Sequence, residues 1–198
     1  MVYLEELQNW NRSINLTSIN SAEEIIVKHF VDSFACLTVE QIKQGASLLD
    51  VGSGAGFPGI PLKLVQQDLN ITLIEPVQKK ISFLYYLVGL LRLERVNIFY
   101  GTVEQFIAKN CSDHRFDYIT TRALKYSTVL KKGPSLVTDT GRAILYGSHP
   151  IDRSELSSHW SVVIEQAFDL PMNFGHRVIS VLSISRSGIF NVPRGTLN

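Results

Sequence analysis

The stretch from Ser47 to Pro61 reads S-L-L-D-V-G-S-G-A-G-F-P-G-I-P, and the rest of the chain is organised around it. A short apolar run, Leu48 to Val51, ends in four glycines within eight residues, and an amphipathic segment opens at once with Pro58 and Ile60. That order predicts a buried strand, a tight loop and then a helix. Gly52, Gly54 and Gly56 let a backbone turn sharply and approach a ligand where a Cβ would collide. Pro58 suits a first helical turn, whose amides have no intrahelical partner in any case.

Length and composition limit what such a loop can belong to. With 198 residues and 45% hydrophobic content the chain can bury a core of its own in one domain with a small appendage. Nineteen basic side chains against eighteen acidic ones give a formal charge of +1. No global electrostatic argument therefore selects a nucleic acid or a membrane, and any basic footprint must be local. The longest apolar stretch, Phe83 to Leu91, is far shorter than the roughly 20 residues of a membrane span. Met1 to Glu6 is acidic and precedes no signal core. Cys36 and Cys111 stand alone and far apart, which fits a reducing cytoplasm and argues against structural zinc. The expectation is a soluble cytoplasmic protein without membrane contact or metal.

In chain order, Val2 to Arg12 carries apolar residues at near-helical spacing. Ser21 and Glu24 form a capping box opening a helix to about Phe34. On that helix His29, Asp32 and Ser33 share one face. Two readings of this face are open: Asp32 orients His29 on a solvated surface, or the face lies beside the glycine loop. From Ser47 onward strands and helices alternate. Strands are expected at Leu48–Val51, Ile71–Glu75, Val96–Tyr100, Phe116–Thr121 and Arg142–Tyr146, with helices at Gln78–Leu91 and Val103–Lys109. A short helix is expected over Asp152–Trp160. Ser161–Phe168 and Arg177–Arg186 should then pair as an antiparallel hairpin at the sheet edge. The fold class is α/β: a Rossmann-like, mostly parallel seven-stranded sheet with a C-terminal antiparallel hairpin and N-terminal helices. The expected division is an N-terminal helical extension over 1–45, a core domain over 46–188 and a tail over 189–198.

The ligand of the loop can be narrowed by chemistry. A Walker loop ends in Gly-Lys-Ser/Thr, and Gly59-Ile60-Pro61 supplies neither lysine nor hydroxyl. The dinucleotide fingerprint is G-x-G-x-x-G, whereas Gly52, Gly54 and Gly56 give G-x-G-x-G behind Asp50. An acid there repels a pyrophosphate but suits a ligand that is cationic at that end. S-adenosylmethionine carries an ammonium and a sulfonium, and D-x-G-x-G-x-G is the pattern typical of the methyltransferases that use it. Glu75, closing the second strand, can accept both ribose hydroxyls, although NAD enzymes place an acid there too. Gly101-Thr102-Val103-Glu104 follows the third strand, where such folds surround the adenine; Thr102 is equally a good N-cap. An Asn/Asp-Pro-Pro-Tyr sequence for exocyclic amines is absent after the fourth strand, which reads Thr120-Thr121-Arg122-Ala123-Leu124. Neither cysteine has the Pro-Cys or Thr-Cys setting of a pyrimidine-attacking nucleophile. Arg122 at a strand end could clamp a carboxylate, a phosphate or the acceptor edge of guanine. With Lys125, Lys131 and Lys132 it makes a local basic patch, which is either a substrate surface or a solvated helix face.

At this point the sequence resembles a known family. Asn15-Leu16-Thr17, His29-Phe30-Val31-Asp32-Ser33, the stretch Asp50 to Pro61, Lys79-Lys80 before Phe83-Leu84, and Thr121-Arg122-Ala123 are similar to RsmG, also called GidB. The resemblance runs from about Trp10 to Arg186. It implies methylation of guanine N7 at position 527 in the 530 loop of 16S rRNA, on the small ribosomal subunit, with S-adenosylmethionine converted to S-adenosylhomocysteine. It implies cofactor contacts at Gly52, Phe57, Val103, Glu104 and Arg122, to which Asp50, Gly54, Gly56 and Glu75 are added by the loop chemistry. It also matches Arg177 to a family arginine; with the lysines 125, 131 and 132 this completes the expected substrate set. Two departures stand out. Tyr146-Gly147 replaces the usual lysine-glycine after strand five, and the tail lacks the lysine-rich ending of relatives.

The mechanism expected is direct in-line transfer. Guanine N7 has a lone pair in the ring plane and no proton to lose, so no general base, nucleophile or metal is required. Arg122 is expected to position cofactor or guanine, in a protein acting as a monomer. The alternatives are a small-molecule methyltransferase, or a non-catalytic ribosome-assembly factor that keeps a cofactor pocket.

Overall fold

A computed structural model describes residues 2–109, 115–122 and 126–185. Cys111, Lys125, Arg186 and the expected tail from 189 lie outside the described residues. One sheet organises the chain: β1 (Ser47–Val51), β2 (Asn70–Glu75), β3 (Val96–Tyr100), β4 (Phe116–Arg122), β5 (Val137–Gly147), β6 (Trp160–Asp169) and β7 (His176–Ile184). Their order is β3-β2-β1-β4-β5-β7-β6. Pairing is parallel from β3 across to β5, and β7 runs antiparallel to both β5 and β6. This is the Rossmann-like arrangement expected from the alternating pattern, with the terminal hairpin at the sheet edge.

Each strand divides its side chains between two apolar layers, as a period of two requires. On β1, Leu48 enters one layer while Leu49 and Val51 enter the other. On β5, Ile144 and Tyr146 face the first layer and Ala143 and Leu145 the second. The first layer is closed by α1 (Val2–Ile14), by the helical stretch from Ala22 to Phe34, by α4 (Gly59–Val65) and by α5 (Gln78–Leu90). The second is closed by α6 (Val103–Lys109) and α7 (Ser127–Lys132). Burial on both faces explains why the parallel strands read as near-continuous apolar runs.

The N-terminal region forms part of this core. Ser21 caps the second helical stretch by accepting the Glu24 amide, as its capping box predicts. The stretch runs as α2 (Ala22–Ile25), a π-helical turn over Ile26–Val31, and α3 (Asp32–Phe34). Tyr3, Leu4 and Leu7 on α1 are buried in the same cluster as Leu48, Leu73 and Phe83.

Two local expectations differ from the structure. Over Asp152–Trp160 only a 3-10 turn, Arg153–Glu155, forms. The Asp152 carboxylate accepts the Ser154 amide at 2.8 Å and closes a tight turn. Trp160 is instead drawn into β6, with its buried indole N–H donating to the Leu130 carbonyl at 2.9 Å. β5 begins at Val137 rather than Arg142, because Phe116 pairs with Val137 while Tyr118 pairs with Arg142, and the intervening residues bulge.

If α1 is integral to the core, Leu7→Ala leaves a cavity beneath the sheet. It should lower unfolding free energy by about 2–5 kcal/mol. Urea denaturation followed by both tryptophan fluorescence and far-UV circular dichroism should show one coincident, shifted transition.

Candidate functional site

A cavity of about 620 Å³ opens at the carboxyl ends of the central strands. It sits where the strand order reverses between β1 and β4, the position at which open α/β sheets leave a crevice. The glycine loop forms its floor. Gly52 and Gly54 line it in left-handed conformations, with φ of 72° and 61°. Glu75 braces the loop from the end of β2. One carboxylate oxygen accepts the Gly54 amide at 2.8 Å and the other accepts the Val77 amide at 2.9 Å. Glu75 itself lines the cavity.

Asp50 and Gly56, expected among the ligand contacts, lie behind the loop and do not line the cavity. A Cβ on Gly56 would stand 2.7 Å from Ile60 Cδ1 and 2.8 Å from the Tyr3 hydroxyl, so this glycine serves internal packing. Asp50 is fully buried and accepts the Gly59 amide at 2.9 Å, holding the first turn of α4 against the strand. Its other oxygen has no protein partner. Burial pushes the Asp50 carboxyl up to about 7, against the opposing pull of the Gly59 amide and of Arg122.

The N-terminal helices supply the facing wall. Phe57 stacks with Tyr3 (centroids 5.0 Å apart) and with His29 (4.8 Å), while Phe30 meets it edge-on. The Tyr3 hydroxyl donates to the Ala55 carbonyl at 2.6 Å, tying α1 to the loop. His29 Nδ1 lies 3.1 Å from Arg122 Nη2, and its Nε2 lies 2.9 Å from the Thr17 hydroxyl. A guanidinium can only donate, so Nδ1 holds the lone pair and Nε2 holds the proton. Burial, helped by the Arg122 charge, lowers His29 to about 3, so the ring is neutral. Of the two readings of the His29–Asp32–Ser33 face, the structure shows the one beside the glycine loop. Leu16 and Thr17 line the same wall; their only sequence signal was the family-like Asn15-Leu16-Thr17.

Asp32, one helical turn beyond His29, is completely buried and receives two arginines. Arg122 Nη1 donates to Oδ2 at 3.1 Å and to the Lys28 carbonyl at 2.9 Å. Arg177 donates Nε to Oδ1 at 2.6 Å and Nη2 to Oδ2 at 2.8 Å, and its Nη1 reaches the Gly147 carbonyl at 3.2 Å. Between them Tyr146 donates its buried hydroxyl to the Ser33 carbonyl at 2.8 Å. The tyrosine that replaces the family lysine thus anchors the same helix.

The remaining candidates are distributed unevenly. Val103 and Glu104 line the cavity at the start of α6. There Thr102 and Gln105 exchange amide bonds as a capping box, so ligand wall and helix start coincide. The Glu104 carboxyl is lowered, chiefly by its own backbone amide and then by the Thr102 hydroxyl. Lys131 and Lys132 sit on the last turn of α7, beyond the cavity-lining Thr128, and line no part of the cavity.

Asp32→Asn would leave two largely buried arginines without their counter-charge and should cost about 3–5 kcal/mol, measured by urea denaturation. His29 gives a pH signature. Its folded value lies below its unfolded one, so its contribution to stability is complete above about 6.5 and is lost as pH falls toward about 3. Wild type should therefore lose more stability than His29→Gln over that interval; parallel pH profiles would contradict the assignment.

A profile of the GidB family, rRNA small subunit methyltransferase G, matches residues 1–179. The chain is 38% identical over 130 residues to a ribosomal RNA small subunit methyltransferase G of Clostridium botulinum, covering 66% of this chain. That match spans 54% of the Clostridium protein, so the chain accounts for about half of that relative's length. It is 32% identical over 200 residues to the enzyme of the same name from Alkaliphilus metalliredigens, covering 88% of this chain and 84% of that one. The solved structure of a SAM dependent methyltransferase from Aquifex aeolicus has a TM-score of 0.58, is 15% identical and covers 81% of this chain and 93% of that one, a likeness of fold alone. The extent of the profile match and the glycine loop, helix wall and buried arginine pair beneath it together mean that this chain belongs to the GidB family, rRNA small subunit methyltransferase G.

Proposed function

We propose that this chain transfers a methyl group from S-adenosylmethionine to N7 of a guanine in small-subunit rRNA, releasing S-adenosylhomocysteine. The observation that carries the reading is the cavity bounded by Gly52, Gly54 and the Glu75 carboxylate, with a neutral His29 and an Arg122 ion-paired to Asp32 on its far wall. The names of the curated relatives support the rRNA substrate, and the target implied by the resemblance is guanine 527 of the 530 loop. The protein works as a cytoplasmic monomer, in which the N-terminal helical extension, 1–45, serves the methyltransferase domain, 46–188, by contributing Leu16, Thr17 and His29 to the site.

When bound, S-adenosylmethionine supplies an electrophilic methyl on a cationic sulfur. The chain's own residues bind, orient and exclude water. Each Glu75 oxygen spends one lone pair on a backbone amide, that of Gly54 in the loop or of Val77 beyond β2, and keeps another for a ribose hydroxyl. Val51, Ile74 and Val103 present apolar surface for an adenine, and Glu104 adds negative charge at the rim. Asp50 acts through Gly59 rather than by contact, and Gly56 with Phe57 sets the shape of the loop.

Arg122 is the positioning residue. An uncompensated guanidinium beside a cationic donor would be repelled, and Asp32, which Arg122 shares with Arg177, offsets part of that charge. After its bonds to Asp32, Lys28 and His29, Arg122 keeps its Nε–H and one Nη2–H without partners among the described residues. These can hold the O6 of a guanine and leave the N7 lone pair free for the methyl. His29 keeps its proton on Nε2 throughout, which suits an acceptor that has no proton to surrender. Arg177, bound to the same carboxylate, sets Arg122 in place. Lys131 and Lys132 would meet RNA outside the cavity, and Lys125 belongs to the same expected substrate set.

Transfer of labelled methyl to unmodified small subunits and to free 16S rRNA, followed by mapping of the nucleotide, tests the reading. Label on a guanine N7 is expected. Label confined to small metabolites, or subunit binding without label, would overturn it. Arg122→Ala should slow transfer about a hundredfold, the scale of a misplaced reactant; an unchanged rate and unchanged cofactor affinity would remove Arg122 from the mechanism.

A further inference from the structure

A second cavity, of about 630 Å³, lies on the other side of His29 and Arg122. These two side chains wall both cavities. The second is enclosed by the tip of the β6–β7 hairpin, the π-helical turn and the end of β5. Its volume falls in the range of about 300–1,000 Å³ usual for small-ligand sites.

Its chemistry differs from that of the first. Arg122 and Arg177 share one carboxylate, so the pair carries an excess positive charge. Arg177 keeps one N–H on each terminal nitrogen without a partner among the described residues. Lys28, ion-paired with Glu24 one turn earlier, reaches over the Phe174 ring, 5.6 Å from its centroid, with further ammonium donors left over. Phe174 is half-buried at the hairpin tip, where the backbone is held in an unusual path. Met172, Asn173 and Gly175 all take left-handed conformations, with φ of 61°, 58° and 125°. The Leu170 amide closes the tip on the Gly175 carbonyl at 2.8 Å. Two consecutive non-glycine residues in that region are strained, and such strain persists where the surroundings impose it. Here it leaves Phe174 lining the cavity rather than packed in the core. On the opposite wall Gly147 lets Tyr126 pack against the backbone, where a Cβ would collide with its hydroxyl.

We propose that this second cavity holds the acceptor nucleotide, with the flipped guanine stacked on Phe174 and its phosphate met by Arg177 and Lys28. The proposal rests on the methyltransferase reading above. Transfer requires the acceptor atom about 3–3.5 Å from the donated methyl group. With the first cavity filled, the shared wall of His29 and Arg122 is where an acceptor from the second can reach it. A guanine entering there can turn its O6 to the free N–H groups of Arg122 while its N7 lone pair faces the methyl group. Aromatic stacking with flanking cations is the recurrent way a protein holds an unstacked base.

Two measurements decide it. In the first, methyl transfer to 16S rRNA is compared for wild type, Phe174→Ala and Phe174→Tyr. Phe174→Ala should lower kcat/KM about ten- to a hundredfold, Phe174→Tyr should restore most of it, and affinity for S-adenosylhomocysteine should be unchanged in both. In the second, guanosine 5′-monophosphate is titrated into protein saturated with S-adenosylhomocysteine. It should bind without displacing that product, and Phe174→Ala should weaken it by a similar factor. Wild-type transfer by Phe174→Ala, displacement of S-adenosylhomocysteine, or guanosine monophosphate that fails to bind or ignores the substitution would each overturn the proposal. Should wild type transfer no methyl, the functional reading falls, while the titration still decides what the cavity holds.

Discussion

One buried carboxylate holds the two halves of this molecule in register. Asp32 lies on the helical stretch that closes one face of the sheet, and it receives Arg122 from β4 and Arg177 from β7. Between those strands, β5 sends the Tyr146 hydroxyl to the carbonyl of Ser33. All three donors point to the same side of the sheet because a strand presents alternate residues to one face. A buried charge is tolerated only with its partners in place. The helix can therefore dock at one height and one rotation, since a slip of a single residue would strip Asp32 of both arginines.

That docking builds the site. His29 lies one turn before Asp32 on the same face, so it arrives against Phe57 and within reach of Arg122. The intervening turn is π-helical, a wider winding that recurs at functional sites. Its Lys28 carbonyl takes a hydrogen bond from Arg122. Arg122 consequently stands at the partition between two cavities, ion-paired to the carboxylate it shares with Arg177 and with part of its donor set still free. The neutrality of His29 follows from the same arrangement. A protonated imidazole would face a guanidinium across 3.1 Å, in a place where burial already disfavours charge.

Much of the fold was legible in local patterns. Apolar runs separated by helical periodicity placed all seven strands, and the capping pair Ser21–Glu24 marked the second helical stretch. Where local pattern misled, a distant contact had intervened. The Asp152–Trp160 segment has helical character, but Trp160 finds Leu130 and pairs as strand. The start of β5 was misplaced because its bulge is set by pairing with β4, which no feature of residues 137–142 announces. Within the site, the loop and Glu75 were visible as types and spacings, whereas Tyr3, which supports the loop from behind through Phe57 and Ala55, carried only an amphipathic signal.

That a strand, a glycine turn and a helix meet at Ser47–Pro61 is written in the residues themselves, because period, propensity and the φ freedom of glycine are local properties. The sequence also carried the family, through the residues around that turn. Tertiary structure alone decided which parts of the turn face a ligand. Gly52 and Gly54 do, while Gly56 makes room for Tyr3 and Asp50 turns inward to Gly59. It alone decided that Arg122 and Arg177 share one carboxylate. Those partners lie 90 and 145 positions from Asp32, and only the packing of a helix across three strands brings charges that distant in sequence together.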